Sequence, residues 1–215
     1  MASARSTNRI LSIVDYGMGN LGSVANAIQF LGYRSEIVSE PEAVARAEAI
    51  VLPGVGAFGE AMNRLEGRGL VGPLTDRVME KGTPFFGICL GMQLLAREST
   101  EGGRHAGLGW IEGAVDLIAA TPEIRVPHVG WNDVRWPDDE VMFRNVQPNA
   151  NFFFDHSFAL TCDPAIVCAT VDYGGPIVAA IHRRNILATQ FHPERSQNNG
   201  LRVLRNFLNV VDGRA

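Results

Sequence analysis

The sequence predicts a single α/β domain with a mostly parallel central sheet, flanking helices and an additional β-rich portion. Three observations lead to this class. Short apolar segments alternate with helical segments through the first hundred residues, which is typical of parallel sheets. Segments of β character dominate afterwards, without a linker or repeat between the halves. The 215 residues are 46% hydrophobic, enough for one substantial core. We predict a domain over residues 10–212 and a flexible N-terminal segment over residues 1–9.

The composition excludes several classes of protein. A net charge of -4 provides no concentrated positive field for nucleic acid or an anionic membrane surface. Three cysteines are too few for a disulfide scaffold. The polar N-terminus lacks the apolar core of a secretory signal, and no apolar run reaches membrane-spanning length. We therefore expect a soluble protein in a reducing, cytoplasmic setting.

The first half is predicted to repeat strand and helix. Its predicted strands are Ile10–Asp15, Tyr33–Val38, Ala49–Leu52 and Pro84–Ile88, and its helical segments are Leu21–Leu31, a short helix after Ser39, Leu70–Lys81 and Leu90–Ala96. Gly32 is predicted to end the first helix as its C-cap. Ser39 with Glu42 three residues later has the pattern of a capping box.

The second half begins with a glycine-rich loop and continues with strands. The loop is Ser99–Gly109, the predicted β segments are Ala114–Ile118, Val126–Trp136, Asn151–Leu160, Val167–Val171 and Ile177–Phe191, and the closing helix is Gly200–Val211. The segment Ile177–Phe191 is expected to be a hairpin with its turn at Arg183–Asn185. We expect the strand-rich half to cover a platform built by the first half.

Cys89 is the candidate nucleophile. It stands between an apolar strand and a helical segment in the pattern Gly87-x-Cys89-x-Gly91, which is a nucleophile elbow with cysteine in place of serine. A cysteine at that position lies at a helix N-terminus, where backbone N–H groups favour the thiolate. The alternative is a small buried hydrophobic residue.

His192 is the candidate general base. It follows an apolar strand and precedes Pro193, which favours extended backbone, so Glu194 projects to the same side. A nucleophile, a base and an orienting carboxylate would then be present. The other histidines are interpreted as solvated or structural: His105, His128, His156 and His182. No Cys-x-x-Cys or His-x-x-x-His spacing occurs, so we expect no zinc site.

The glycine loop Pro53–Gly59 follows the third predicted strand. Glycines there allow backbone N–H groups to approach a ligand. If the loop lies beside the elbow, one of its N–H groups and that of Leu90 would form an oxyanion hole. An ordinary strand-to-helix turn is the alternative.

A second function class remains open at this level. Residues 17–22 match the G-x-G-x-x-G fingerprint between a strand and a helix, and Glu36 has the spacing of a ribose-binding acid. A dinucleotide-binding protein would leave Cys89 and the His192-x-Glu194 pair without a role.

Five motifs together carry a family resemblance. They are GICLGMQ around Cys89, PGVGAFG after the third strand, QFHPERS around His192, DYGMGNLGSV near the N-terminus and VPHVGWN in the second half. From about Ile10 to Phe207 the chain resembles the class I glutamine amidotransferases, which have a flavodoxin-like fold. Within them it is similar to the glutaminase subunits of imidazole glycerol phosphate synthase, from histidine biosynthesis.

The resemblance implies roles for particular residues. Cys89 would attack glutamine, His192 would transfer the proton, and Glu194 would orient His192. The implied oxyanion residues are Gly54, Val55 and Leu90; the implied substrate-binding residues are Gly56, Gln93, His156, Ser157 and Phe158; and the implied interface residues are Asn20, Trp131 and Arg195. The family uses no cofactor, and its partner is a cyclase subunit with a (β/α)8 barrel, bound as a heterodimer.

The chain departs from the family pattern near these positions. The family commonly has tyrosine where Phe153 and Phe158 stand, and a small apolar residue in place of Asp155. Arg195 replaces a lysine, which keeps the charge but changes the geometry of its contacts.

Overall fold

The computed structural model describes residues 9–214. Residues 1–8 of the predicted flexible segment lie outside this range, so that expectation stays a prediction. The architecture is α/β, as predicted, and is built on a nine-stranded sheet with the strand order β2-β1-β3-β4-β13-β12-β11-β8-β9.

The first five strands of this order run parallel. They are β1 (Ile10–Val14), β2 (Arg34–Val38), β3 (Ile50–Gly54), β4 (Phe85–Cys89) and β13 (Ile186–Thr189). The helices of the chain are α1 (Leu21–Phe30), α2 (Pro41–Val44), α3 (Phe58–Gly67), α4 (Val71–Thr75), α5 (Leu90–Gln93) and α6 (Gln197–Val211). Both faces of the sheet are covered, because one buried apolar cluster includes residues of α1 and α6 and another includes residues of α3 and α4. Such two-sided burial explains why four of the parallel strands, β1, β3, β4 and β13, are mostly apolar. The edge strand β2 has the sequence RSEIV and is largely exposed.

The remaining strands extend this sheet and form a second one. Antiparallel pairing adds β12 (Pro176–Arg183), β11 (Val167–Asp172), β8 (His128–Arg135) and β9 (Asn151–His156). The four-stranded second sheet has the order β10-β7-β5-β6, with β5 (Ala96–Ser99), β6 (His105–Ala106), β7 (Ile111–Leu117) and β10 (Phe158–Cys162). The strand-rich half therefore does more than cover a platform, because five of its strands belong to the central sheet.

Several local predictions are wrong in instructive ways. The predicted helix Leu90–Ala96 is only four residues long, because the carbonyls of Leu94 and Leu95 accept hydrogen bonds from the chain leading into β7. The capping box at Ser39 does not form, because its hydroxyl donates to the Glu40 carboxylate and accepts no N–H from the first turn of α2. The segment Leu70–Lys81 divides into α4 and a π-helical turn, Asp76–Glu80.

Other elements follow the sequence closely. Gly32 has φ +84° after α1, as a C-cap glycine should. The predicted hairpin turns at Arg184, which has φ +56°, between β12 and β13. Two elements differ from the prediction. The segment Asn151–Leu160 is interrupted at Ser157 and forms β9 and β10, and α3 is a helix that the sequence analysis did not predict after the glycine loop. None of the helices in the described part of the chain has the length and apolar character that a membrane crossing needs.

Candidate active site

Cys89 occupies a strained turn at the end of β4. Its backbone has φ +54° and ψ -110°, a region that residues with a side chain rarely adopt and that is concentrated at functional sites. Glycines on both sides make the turn possible. A Cβ atom on Gly91 would overlap the Leu52 carbonyl oxygen, and one on Gly87 would lie 2.8 Å from the Gly91 carbonyl oxygen. The elbow that the Gly-x-Cys-x-Gly pattern predicted is therefore present.

His192 follows β13, the strand paired in parallel with β4. Its Nδ1 lies 2.8 Å from Oε1 of Glu194, and both side chains are almost completely buried. The backbone holds the ring in place, since the His192 N–H donates to the Phe153 carbonyl at 2.9 Å. The Ser196 hydroxyl donates to the His192 carbonyl at 2.6 Å. The other ring nitrogen, Nε2, is thus free for Cys89.

The electrostatics of this trio favour an ion pair. Burial lowers the pKa of His192, but hydrogen bonds to Cys89 and Glu194 and the charges of those two groups outweigh it and raise the pKa to about 10. The His192 imidazolium is therefore stable at neutral pH. The other cysteines differ: burial, reinforced by Asp163, raises the pKa of the Cys162 thiol to about 11, and burial also raises that of Cys168. Cys89 alone has a basic partner.

The glycine loop lies on the opposite side of Cys89 from His192. Strand β3 pairs with β4 so that Gly54 stands next to Cys89. A side chain at Gly54 would overlap the Tyr16 hydroxyl and lie 2.9 Å from the Leu90 Cβ, so only glycine permits this approach. Val55, 45% exposed, and Leu90, the first residue of α5, line the same cavity as Cys89. The predicted oxyanion residues are thus brought together.

A cavity of about 470 Å³ opens over the Cys89 sulfur, a volume within the range of small-molecule sites. All five residues that the resemblance assigns to substrate binding line it: Gly56, Gln93, His156, Ser157 and Phe158. The sequence interpretation missed Glu101, a lining carboxylate whose Oε2 accepts the Phe58 N–H at 2.7 Å. It lies in the glycine-rich loop, where no pattern distinguishes it from a solvated residue.

Gln190 was also missed, although it belongs to the QFHPERS motif. It is fully buried, and its Nε2 lies 3.6 Å from the Cys89 sulfur. The carbonyl of Asp155 lies 3.9 Å from the same sulfur. The sulfur is therefore surrounded by groups from β9 and from the segment after β13, in addition to its own elbow.

His156 lies in the cavity wall as part of a hydrogen-bonded chain. Its Nδ1 is 2.8 Å from the Phe158 carbonyl, which can only accept, so this nitrogen carries the proton. His128 Nδ1 then donates to His156 Nε2 at 3.0 Å. Burial lowers the pKa of both rings to about 4, with the charge of His192 adding to the effect at His156. Both are neutral structural histidines, as predicted for His128, and His156 also shapes the cavity.

Two of the three predicted interface residues, Trp131 and Arg195, pack against Phe153 of β9. Trp131, on β8, is 45% exposed and packs edge-on against Phe153 at a ring distance of 6.1 Å. The Arg195 guanidinium lies 4.0 Å from the Phe153 ring centre and 3.7 Å from the Asp155 carboxylate. Three residues that depart from the family pattern, Phe153, Asp155 and Arg195, therefore contact one another in one cluster. Asn20 caps α1 through the Ser23 N–H at 3.4 Å.

The alternative site chemistries find little support. Glu36 lies within β2 and accepts a hydrogen bond from Ser12 at 3.0 Å; a ribose-binding acid belongs at the end of its strand. Within residues 9–214, no group of three or more His, Cys, Asp or Glu side chains is arranged to hold a metal ion. His182, predicted to be exposed, is half-buried and pairs with Glu140 at 3.2 Å, away from Cys89.

A strained cysteine at the end of a parallel strand, a paired histidine and a buried glutamate define a thiol-dependent hydrolytic enzyme. Comparison with known proteins identifies which one. The family model for glutamine amidotransferase class-I matches residues 12–211. Imidazole glycerol phosphate synthase subunit HisH of Rhodopirellula baltica is 45% identical over 199 residues, covering 92% of this chain and 96% of that protein. The HisH subunit of Moorella thermoacetica is 44% identical over 204 residues, covering 94% and 96%.

The chain therefore belongs to the class I glutamine amidotransferases and, among them, to the HisH subunits of imidazole glycerol phosphate synthase. The fold agrees with more distant structures. PurLQS from Thermotoga maritima superposes with a TM-score of 0.73 at 19% identity, covering 95% of this chain and all of the matched chain (100%). At that identity the likeness supports the fold alone.

Proposed function

We propose that this chain hydrolyses L-glutamine to glutamate and ammonia through a thioester on Cys89, and that it delivers the ammonia to a cyclase subunit of imidazole glycerol phosphate synthase. One observation carries the proposal. The strained Cys89, His192 and Val55 line a single cavity, and Glu194 holds His192 there by a hydrogen bond. A reducing, cytoplasmic setting belongs to the proposal, because a thiol nucleophile must stay reduced.

The first step is acyl transfer to sulfur. The Cys89 thiolate attacks the carboxamide carbon of glutamine, and negative charge develops on the amide oxygen. The N–H groups of Val55 and Leu90 stabilise that oxygen, with Gly54 allowing the loop to approach. The His192 imidazolium then gives its proton to the departing nitrogen, so that ammonia leaves and a thioester remains.

The second step is hydrolysis of the thioester. His192, now neutral, takes a proton from water, and the resulting hydroxide attacks the thioester carbonyl. Glu194 accepts from His192 Nδ1 throughout, which fixes the tautomer and stabilises the imidazolium. Glutamate leaves, and the thiolate–imidazolium pair is restored.

The cavity wall supplies the groups that hold glutamine. Gln93, Gly56 and the segment His156–Phe158 present amide and backbone groups to the substrate. Glu101 offers a carboxylate suited to the α-ammonium group of an amino acid. Since the cavity presents both amide groups and a carboxylate, it suits a zwitterion with a terminal carboxamide.

The partner surface is proposed to surround the mouth of this cavity. Val55 lines the cavity, and Val129 and Trp131 on β8 pair with Asp155 and Phe153 on β9. These three apolar side chains are between 45% and 55% accessible, and the Arg195 guanidinium lies over the Phe153 ring. Exposed aromatic and arginine side chains are enriched at protein interfaces. A (β/α)8-barrel cyclase bound here, as a heterodimer, would receive ammonia and form imidazole glycerol phosphate and aminoimidazole carboxamide ribotide.

The test is a glutaminase assay of the full chain alone, then with a cyclase subunit and its nucleotide substrate. We expect slow hydrolysis by the chain alone and a higher rate in the complex, because a flexible Gly54–Val55 peptide is biased by the partner. Equal rates of glutamine hydrolysis with and without the partner would contradict the proposed activation by the partner. The Cys89→Ala variant is expected to lose glutamine use, while its complex still works with added ammonia.

Cys162→Ala is the matched control, because this half-buried cysteine lies on β10 and lacks a basic partner. It should keep both glutamine-dependent and ammonia-dependent activity. Glutaminase activity retained by the Cys89→Ala variant would refute the nucleophile assignment.

A further inference from the structure

Gln190 contacts the Cys89 sulfur through its side-chain amide, and the mechanism above gives this contact no role. It lies between the end of β13 and His192, with none of its surface exposed. Its backbone N–H donates to the Ala179 carbonyl at 2.8 Å, which fixes the start of the side chain. The side-chain amide lies between two groups: Gln93 Nε2, 2.9 Å from its Oε1, and the Cys89 sulfur, 3.6 Å from its Nε2.

Neighbouring groups determine which end of this amide faces the sulfur. The Phe158 carbonyl can only accept, and the Gln93 amide lies 2.9 Å from it, so Gln93 directs its NH₂ group toward Phe158. The same NH₂ group lies against Gln190, which must therefore present its oxygen. The NH₂ group of Gln190 is left to face Cys89. A flipped amide would place two donors against each other.

We propose that Gln190 is a catalytic residue, whose side-chain N–H donates to the Cys89 sulfur, stabilises the thiolate and holds it toward the substrate. The proposal rests on the proposed role of Cys89 as the nucleophile. It makes His192 one of two donors to the sulfur. His192 supplies a charge and a proton, whereas Gln190 supplies a fixed neutral dipole that is unchanged when the proton moves.

The surroundings of the sulfur explain why a second donor matters. The Asp155 carbonyl oxygen, 3.9 Å from the sulfur, suits the thiol but repels the thiolate. Cys89 as a residue is only 4% exposed, so water does little to stabilise a charge on its sulfur. In a buried site a hydrogen bond to a charged group is stronger than one between neutral groups. The Gln190 N–H therefore opposes the unfavourable carbonyl.

The same amide connects the nucleophile to the substrate cavity. Gln93 lines the cavity, and its NH₂ group holds the Gln190 oxygen. Hydrogen bonds in such a chain polarise one another. A substrate that binds Gln93 is thus coupled through Gln190 to the sulfur that attacks it.

The test measures the pH dependence of Cys89 alkylation by iodoacetamide in the full chain, with the Cys89 peptide followed by mass spectrometry. Gln190→Met keeps the side-chain volume but removes the donor, and Gln190→Asn keeps an amide too short to reach the sulfur. In both variants we expect the rise of the alkylation rate with pH to occur about one pH unit higher than in the wild type. Below that rise the alkylation rate should be roughly tenfold lower than that of the wild type.

Thr189→Val is the matched control. Thr189 is also fully buried, and its hydroxyl donates to the Phe191 carbonyl at 2.9 Å without touching the sulfur. This variant should lose stability and keep the wild-type alkylation profile. An unchanged profile in a folded Gln190 variant, or an equal shift in Thr189→Val, would overturn the proposal.

Two further readouts keep the outcome decisive. If neither Gln190 variant folds, the Gln190 amide protons in the NMR spectrum of the wild-type chain must shift as Cys89 titrates, and their constancy would refute the contact. Alkylation needs no glutamine. A shifted profile in the Gln190 variants, combined with no glutaminase activity of the wild-type chain in complex with its cyclase subunit, would uphold the Gln190–Cys89 contact and reject the proposed function.

Discussion

Replacing Glu194 by glutamine tests how the buried carboxylate supports His192. Its Oε1 lies 2.8 Å from His192 Nδ1, and its side chain is only 2% exposed. The variant keeps the shape and an acceptor oxygen but removes the negative charge. Because that charge and hydrogen bond help raise the pKa of His192 to about 10, the imidazolium becomes less stable.

The size of the effect follows from the strength of the contact. A hydrogen bond to a charged group contributes about 1.5–3 kcal/mol, and each 1.36 kcal/mol is a factor of ten in rate. We therefore expect kcat for glutamine hydrolysis to fall by about 10- to 150-fold. KM should change little, since Glu194 does not line the cavity.

The assay is glutamine hydrolysis by the complex with its cyclase subunit, and ammonia-dependent activity verifies assembly. Glu140→Gln is the matched control, because Glu140 forms a second histidine–carboxylate pair within residues 9–214, 3.2 Å from His182 and away from Cys89. It should retain kcat. If Glu194→Gln keeps the wild-type kcat, or if both variants lose it equally, the orienting role of Glu194 is refuted.

Two other predictions concern the elbow and the cavity wall. Gly91→Ala should prevent stable folding of the elbow, because its Cβ would overlap the Leu52 carbonyl oxygen. The control Gly22→Ala should fold normally, because the space around Gly22 is open. Thermal unfolding followed by circular dichroism compares the two variants, and a wild-type melting temperature for Gly91→Ala would contradict the described packing. His156 should remain neutral down to a pKa of about 4, so its contribution to stability is present above pH 6.5 and about 3 kcal/mol of it is lost as the pH falls from 6.5 to 4. An NMR titration of the ring measures this, and a midpoint near 6.5 would argue against the hydrogen-bonded chain.

The sequence predicted those parts of the site that local patterns determine. The sequence identifies Cys89 because Gly87 and Gly91, two residues before and after it, permit a turn that residues with a side chain at those positions cannot make. His192 and Glu194 were identified because an extended backbone places neighbours two apart on one side. The structure places Nδ1 of His192 2.8 Å from the Glu194 carboxylate, so the predicted contact is present. The reason given for it is wrong, because only His192 is extended and Pro193–Arg195 forms a 3-10 helix, whose tight turn brings the carboxylate back to the ring.

The parts that were missed depend on distant segments. Gln190 contacts Cys89 only because β13 pairs with β4. Glu101 reaches the cavity from a loop whose composition indicates nothing but solvent exposure. The helix after Cys89 was predicted too long, because Leu94 and Leu95 have helical spacing but are drawn into contacts with the second sheet. In each case tertiary contacts override local preference.

The position of β13 decides whether the site exists at all. Parallel strands present their carboxyl ends at one edge, and the order β3-β4-β13 places the Gly54 loop, Cys89 and His192 side by side at that edge. The proposed nucleophile is therefore central, with the proposed oxyanion donors on one side and the proposed base on the other. Strand β13 comes from the strand-rich half, which was expected only to cover the first half. Because β4 without β13 would lack both His192 and Gln190, the two halves of the chain must fold together before Cys89 becomes reactive.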